Sequence, residues 1–304
     1  MWMLTPTSTA EQLFFTTLRL EGATPTGSVG GTGFAVLVPV VGADPLMILV
    51  TNKHVLDAVT TLRIVGPGAS QDRQRPDPGT KAVAIATPPC WVGHPSPAVD
   101  VAALALTGLP LVSDRQPFLK ALPIDLLLNE TQTQQLDAIE PVTFIGYPNA
   151  LHDTVNMTPI ARRGWTATPI SLDYNGTPTF LIDASVFPGS SGSPVLILDS
   201  GSYAPKGGGL VLGSRAFLVG ILGAVYIHTT TGRLAAAPAS TLQFDQMMDL
   251  GIVYKTLTIV ATIDELLKSH GQQRLVPTAP PPEAALPVDP PPNSMPEPPP
   301  SEAS

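Results

Sequence analysis

The sequence predicts an all-β fold, one or two closed antiparallel barrels, followed by a single helix and an unstructured tail. Three observations predict it. Short runs rich in Val, Ile, Leu, Phe and Thr recur between Gly, Pro, Asp and Asn turns, which is the spacing of strands. Helical periodicity surfaces only near the C-terminus. From Pro277 to Ser304, 12 of 28 residues are proline and the four charges are all acidic, so that stretch cannot bury enough apolar surface to order itself.

In chain order the strand candidates are Gln12–Leu20, Gly33–Val38, Leu46–Thr51, Thr60–Val65, Lys81–Ala86, Val101–Leu106, Pro141–Gly146, Thr179–Asp183, Pro194–Leu198 and Phe217–Ile227. Turn signals stand at Gly66-Pro67-Gly68, Asn175-Gly176 and Gly207-Gly208-Gly209. Thr262 reads as the N-cap of a helix over Ile263–Ser269, with Glu265 in its first turn and Gly271 as its stop. Many short strands with one terminal helix suit barrels, because closure removes exposed strand edges. The segment boundaries follow: an extension over 1–11, a folded unit over 12–271, and the proline-rich acidic tail over 272–304.

Composition narrows the function. The 304 residues are 43% hydrophobic and only 13% charged, ample for a buried core. A net charge of −8 with no basic run excludes nucleic acid and anionic membrane surfaces as partners. The single cysteine, Cys90, excludes an internal disulfide and a multi-cysteine metal site. It fits a reducing compartment and reads as a small buried residue. No cofactor or metal is expected. The N-terminus carries no basic leader and no apolar run reaches ~18 residues, so a cytoplasmic chain without signal peptide or membrane span is expected.

Three polar positions interrupt apolar runs. His54 follows the strand LMILVT and opens the amphipathic turn HVLDAV. Asp100 immediately precedes an apolar strand, and three serines crowd into FPGSSGSPV over 187–195. Each alone has an ordinary explanation as a turn or strand-end residue. Together they supply, in order, an imidazole, a carboxylate and a hydroxyl. Nucleophilic acyl transfer needs that set: a hydroxyl to attack, an imidazole to take its proton, and a carboxylate to fix the imidazole tautomer. Gly189 and Gly192 flank the serines and let backbone N–H groups converge on one spot, as an oxyanion site requires.

GTGFAVLV, TNKHVL, VDVAAL and DASVFPGSSGSPV, in this order, resemble the trypsin-like serine peptidases, most closely the bacterial Deg-type branch. The resemblance spans roughly residues 12–260. It implies two six-stranded antiparallel barrels with the active site between them, and a serine endopeptidase acting on protein or peptide substrates as a monomer. It implies Ser191, in Gly189-Ser190-Ser191-Gly192, as nucleophile, His54 as general base and acid, and Asp100 as orienting carboxylate. The oxyanion hole falls to the N–H groups of Gly189 and Ser191. Ser193 stands where the family has a second glycine, which puts a hydroxymethyl group near the nucleophile and is expected to narrow access. Six residues before the nucleophile, the base of the specificity pocket falls on Ser185, with Gly223, Ala224 and Val225 as the opposite wall.

His94, His152, His228 and His270 lack the strand-then-His-Val setting of His54. Asp57 lies too close to His54 along the chain, and Asp183 reads as a structural loop carboxylate. Gly30-Gly31-Thr32-Gly33 precedes a strand rather than a helix, so it is a poor phosphate loop. Two other readings stay open: a catalytically weak peptidase fold that binds peptides, and an adaptor whose proline tail binds a partner. Between the barrels and the proline-rich stretch, the peptide-binding domain that Deg-type proteases often carry after the barrels is not expected.

Overall fold

The computed structural model describes residues 4–234 and 237–276, with residues 227–247 as backbone only; the proline tail and any partner for it lie outside them. The first half is one sheet of eight strands: β1 (Thr17–Thr24), β2 (Gly27–Val40), β3 (Ala43–Thr51), β4 (Thr61–Ala69), β5 (Pro76–Ala86), β6 (Val92–Gly93), β7 (Ala102–Ala105) and β8 (Leu122–Pro123). Its order is β5-β4-β1-β2-β3-β7-β6, with β8 running parallel to β2 off that path. The second half is a closed six-stranded antiparallel barrel. It is built from β9 (Pro141–Gly146), β10 (Ile160–Thr166), β11 (Thr179–Asp183) and β12 (Pro194–Asp199). The two-residue strands β13 (Ser202–Tyr203) and β14 (Val211–Leu212) form a separate hairpin before the long β15 (Arg215–Leu234) and β16 (Ala237–Lys255) complete the barrel, in the order β10-β11-β16-β15-β12-β9. The helices are α1 (Thr9–Leu13), α2 (Lys53–Leu56), α3 (Glu130–Thr133) and α4 (Thr256–Ser269).

The expected strands at Pro141–Gly146 and Thr179–Asp183 form as bounded. The run over Gln12–Leu20 instead splits. Ser8 and Glu11 make a reciprocal capping box, with the Ser8 hydroxyl taking the Glu11 N–H and the Glu11 carboxylate taking the Ser8 N–H, which starts a helix there; α1 ends at Leu13 and β1 begins at Thr17. The strand β10 escapes an apolar-run reading because it is mostly solvent-facing and carries Arg162 and Arg163; pairing with β9 and β11 makes it a strand. The helix begins six residues before the expected cap. Thr262 sits inside α4, where its hydroxyl donates to the Thr258 carbonyl at 2.7 Å rather than capping anything. Cys90 is exposed, not buried, because the Thr87–Trp91 segment leaves β5 as a surface loop.

Alternation along the strands sorts side chains into three main cores, beside a small cluster of Phe15, Ala69 and Phe118. In β3, Ile48 and Val50 face one core and Leu49 the other. That double burial is why the sequence there reads as an unbroken apolar run. In β12, Val195 and Ile197 fill the closed barrel while Leu196 turns outward. The outward set joins Phe34, Val36, Ile48, Val101, Ile145, Leu218 and Ile221 with Ile259, Ile263, Leu266 and Leu267 of α4. The two halves and the helix therefore share one apolar core. No described helix is long and apolar enough to cross a membrane.

Ile259 is fully buried in that shared core. Ile259→Ala should lower unfolding free energy by ~2–5 kcal/mol, the range for truncating a buried aliphatic, read as a shifted denaturation midpoint.

Candidate active site

The site is assembled from three chain segments. The apolar strand β3 ends at Thr51, and Asn52 turns the chain into the one-turn helix α2, which presents His54 at its second position. Asp100 arrives one residue before the buried run Val101–Leu104. The two meet. The Asp100 Oδ2 lies 2.5 Å from His54 Nδ1, and its Oδ1 accepts the His54 backbone N–H at 3.1 Å. A carboxylate bound at both oxygens by one residue holds the ring in one orientation. It draws the ring proton to Nδ1 and leaves Nε2 as a free acceptor. The His54 side chain is about half exposed, at 49%.

Neighbours that the sequence did not single out hold this pair. Asn52 is fully buried and its Nδ2 donates to the Asp100 carbonyl at 2.6 Å. The Lys53 amine donates to the carbonyls of His94 and Ser96 at 2.8 and 3.0 Å, tying α2 to the loop that leads to Asp100. Burial lowers the Lys53 pKa. Tyr254 of β16 comes up against Asp100; burial first, then the Asp100 charge, pushes its phenol above its ordinary value. Asn52 stands two residues before His54 in TNKHVL and was in view; nothing local marks Tyr254.

The serines lie in the turn between β11 and β12. Ser191 is part-buried and its Oγ donates to the Gly223 carbonyl at 3.2 Å. Gly223 packs on the Tyr254 ring and near Asn52, both of which also meet Asp100, so Ser191 and the His54–Asp100 pair are linked through shared neighbours. No hydrogen bond joins Ser191 to His54 among the described residues. The turn is pinned by Thr32 of β2. Thr32 N–H donates to the Ser191 carbonyl at 2.9 Å, its hydroxyl donates to the Gly189 carbonyl at 2.7 Å, and its own carbonyl accepts the Thr51 hydroxyl at 2.7 Å. Gly189 and Gly192 both sit at φ +87, and a Cβ on Gly192 would overlap the Thr32 carbonyl oxygen.

Ser193 does not narrow the cleft. It is fully buried and points its hydroxyl at the Cα of Gly146 on β9, where a side chain would collide with it. The extra hydroxymethyl is absorbed by a missing side chain on the neighbouring strand. Ser190 is also buried, and its hydroxyl has no partner. Of the expected pocket residues, Ser185 is half-buried ahead of the serine turn, Gly223 contacts Ser191, and Ala224 is exposed. Val225 instead packs its side chain on the barrel core.

The other histidines stand apart. His94 accepts the Ser96 N–H at 3.1 Å, and burial lowers its pKa. His152 stacks beside Arg19 and bonds the Ala150 carbonyl, and His270 closes the end of α4. The side chain of His228 lies outside the described residues. Asp183 is an exposed strand end. Gly30–Gly33 lies within β2, a strand. Among the described residues no cluster of His, Cys, Asp and Glu could hold a metal ion.

The model of a family described as a trypsin-like peptidase domain matches residues 31–204. No curated protein matches. Among solved structures, the serine endoprotease from Yersinia pestis is 17% identical over 87% of this chain and 68% of that chain, with a TM-score of 0.45. The HtrA-type protease AlgW with tripeptide is 15% identical over 86% of this chain and 63% of its own, with a TM-score of 0.47, so this chain spans less than two thirds of that structure. Tobacco etch virus protease complexed with product is 13% identical over 90% and 86% of the two chains, with a TM-score of 0.45.

The fit of Ser193 against Gly146 gives a direct test. Gly146→Ala should destabilise the fold by ~1–3 kcal/mol, the usual cost of overpacking, and Ser193→Gly in the same chain should restore most of it. Denaturant melts of the two single variants and the double variant measure the coupling.

Proposed function

The chain belongs to the trypsin-like peptidase family, and on that premise we propose that it is a serine endopeptidase whose reaction runs through Ser191, His54 and Asp100. The observation that carries the reading is the Asp100 carboxylate, bound at both oxygens by His54, with Ser191 hydrogen-bonded to Gly223, which packs beside Asn52. A rotation about χ1 takes the Ser191 hydroxyl from the Gly223 carbonyl toward His54 Nε2; such hydrogen bonds commonly tighten only when substrate is bound.

The Ser191 Oγ attacks the scissile carbonyl carbon as its proton passes to His54 Nε2. The carbonyl π electrons move onto oxygen, and the N–H groups of Gly189 and Ser191 receive the negative charge. Collapse of this adduct breaks the C–N bond, and the leaving amine takes the proton from His54 Nε2. Water then repeats the sequence, giving the free acid and restoring Ser191. Asp100 keeps its own proton count throughout and stabilises the imidazolium. Ser191→Ala or His54→Ala should each lower kcat by ~10⁴-fold or more with the fold intact, and the double variant should lose no more than either alone. A fluorophosphonate probe should label Ser191 in the parent chain. Labelling at Ser190 or Ser193 instead would overturn the assignment.

The pocket reading follows from Ser185, with Gly223 and Ala224 on the other wall. None carries a charge, so a substrate Arg or Lys would lose its hydration without a counter-ion. Cleavage should follow small or medium apolar residues in a peptide-library digest; dominant cleavage after Arg or Lys would refute it.

Activation by a new N-terminal ammonium needs a carboxylate beside the nucleophile, and that position is Ser190, buried and neutral. A buried ammonium without a counter-charge is strongly unfavourable. The intact chain of 304 residues should therefore label with the probe at its full mass. Labelling that appears only after N-terminal clipping would sink this.

A further inference from the structure

We propose that Thr32 is the positioning residue of the oxyanion site: its hydroxyl fixes the backbone of the serine turn so that the Gly189 and Ser191 N–H groups face the cleft before substrate arrives. The proposal deepens the reading above and rests on it.

A trans peptide unit is planar, with its C=O and N–H on opposite sides, so holding one end fixes the other. Three successive units of the turn are held this way. The Pro188 carbonyl accepts the Asn149 N–H at 2.6 Å, which turns the Gly189 N–H the opposite way. The Gly189 carbonyl accepts the Thr32 hydroxyl at 2.7 Å. The Ser190 carbonyl accepts the Ser193 N–H at 3.0 Å, which turns the Ser191 N–H away from the turn. Neither the Gly189 nor the Ser191 N–H donates to a protein acceptor among the described residues. Both remain available for a developing oxyanion.

Two of the three holders are main-chain N–H groups. The central one is a side chain. Thr32 is fully buried, and its hydroxyl also accepts the Tyr147 N–H at 3.1 Å. With a donor filling its lone-pair side, its proton is committed to the Gly189 carbonyl. Tyr147 leads directly into Pro148-Asn149, the turn that supplies the first holder. One hydroxyl therefore holds the carbonyl end of the middle peptide unit, whose other end, the Ser190 N–H, donates to the Phe187 carbonyl at 3.0 Å, and anchors the segment that sets the unit before it. Without it, the Gly189 carbonyl loses its partner and the middle unit is held only by the Ser190 N–H on the Phe187 carbonyl, which loosens the carbonyl toward the cleft and the place of the substrate oxygen.

The test is Thr32→Val, which keeps the shape and removes the hydroxyl, beside Thr32→Ser, which keeps the hydroxyl. Rates are divided by the concentration of active sites titrated with a fluorophosphonate, so that loss of folded protein does not enter. Removing an oxyanion-hole donor outright typically costs ~10²–10³ in kcat, and loosening one costs less. Thr32→Val should lower kcat per titrated site by ~10- to 100-fold with KM within about two-fold, and Thr32→Ser should recover most of it. Affinity for a peptide boronate, whose adduct carries the oxyanion, should fall in parallel, while affinity for the cleaved product peptide should not. If Thr32→Val does not fold, Thr32→Ala against Thr32→Ser carries the same comparison. An unchanged kcat per site in the hydroxyl-free variant overturns the inference and leaves the peptidase reading standing. A parent chain that neither labels nor cleaves overturns that reading and takes this inference with it.

Discussion

The serine turn is tied to the rest of the molecule by its bonds to Thr32. A turn between two strands has no ladder of its own, and its backbone groups need partners wherever water is excluded. Thr32 supplies them from the other half of the molecule, through its N–H, its hydroxyl and its carbonyl, the last reaching Thr51 just ahead of His54. The strand that carries Thr32 thus bonds at once to the turn that holds Ser191 and to the strand end that leads into His54. An error in the packing of the halves would be felt as an error in the active site.

That packing is apolar and shared. The first sheet, the closed barrel and α4 meet in one continuous core, so no part can shift alone without opening a void. Interdigitated side chains of this kind resist displacement at ångström scale, the tolerance that acyl transfer between groups on separate segments demands. The helix adds Ile259, Ile263, Leu266 and Leu267 to this seam, which is why a helix belongs to an otherwise all-β fold.

Buried polar groups around the site are arranged by position rather than by type. Asn52 reaches the Asp100 carbonyl, and the Tyr254 ring lies under Gly223 against Asp100. Ser190 and Ser193 are buried hydroxyls without partners, an unfavourable arrangement in a dry environment. The sequence places three serines side by side; burial separates them, leaving only Ser191 partly open to the cleft.

The all-β class, the strands at 141–146 and 179–183, and the pairing of His54 with Asp100 were legible in the sequence by itself. Apolar runs between turn residues dictate strands locally, and acyl-transfer chemistry admits few side-chain types, so both leave marks within a few residues. The strand β10 and the true start of α4 were not legible, because barrel closure and burial against distant strands decide them over weak local patterns. Nor were the roles of Thr32, Tyr254 and Gly146. Thr32 meets Gly189 across 157 residues of chain and Tyr147 across 115. A hydrogen bond or a steric fit at that separation has no period and no spacing in the sequence. It exists only once the two halves have packed, since the packing alone fixes which groups are left to face each other.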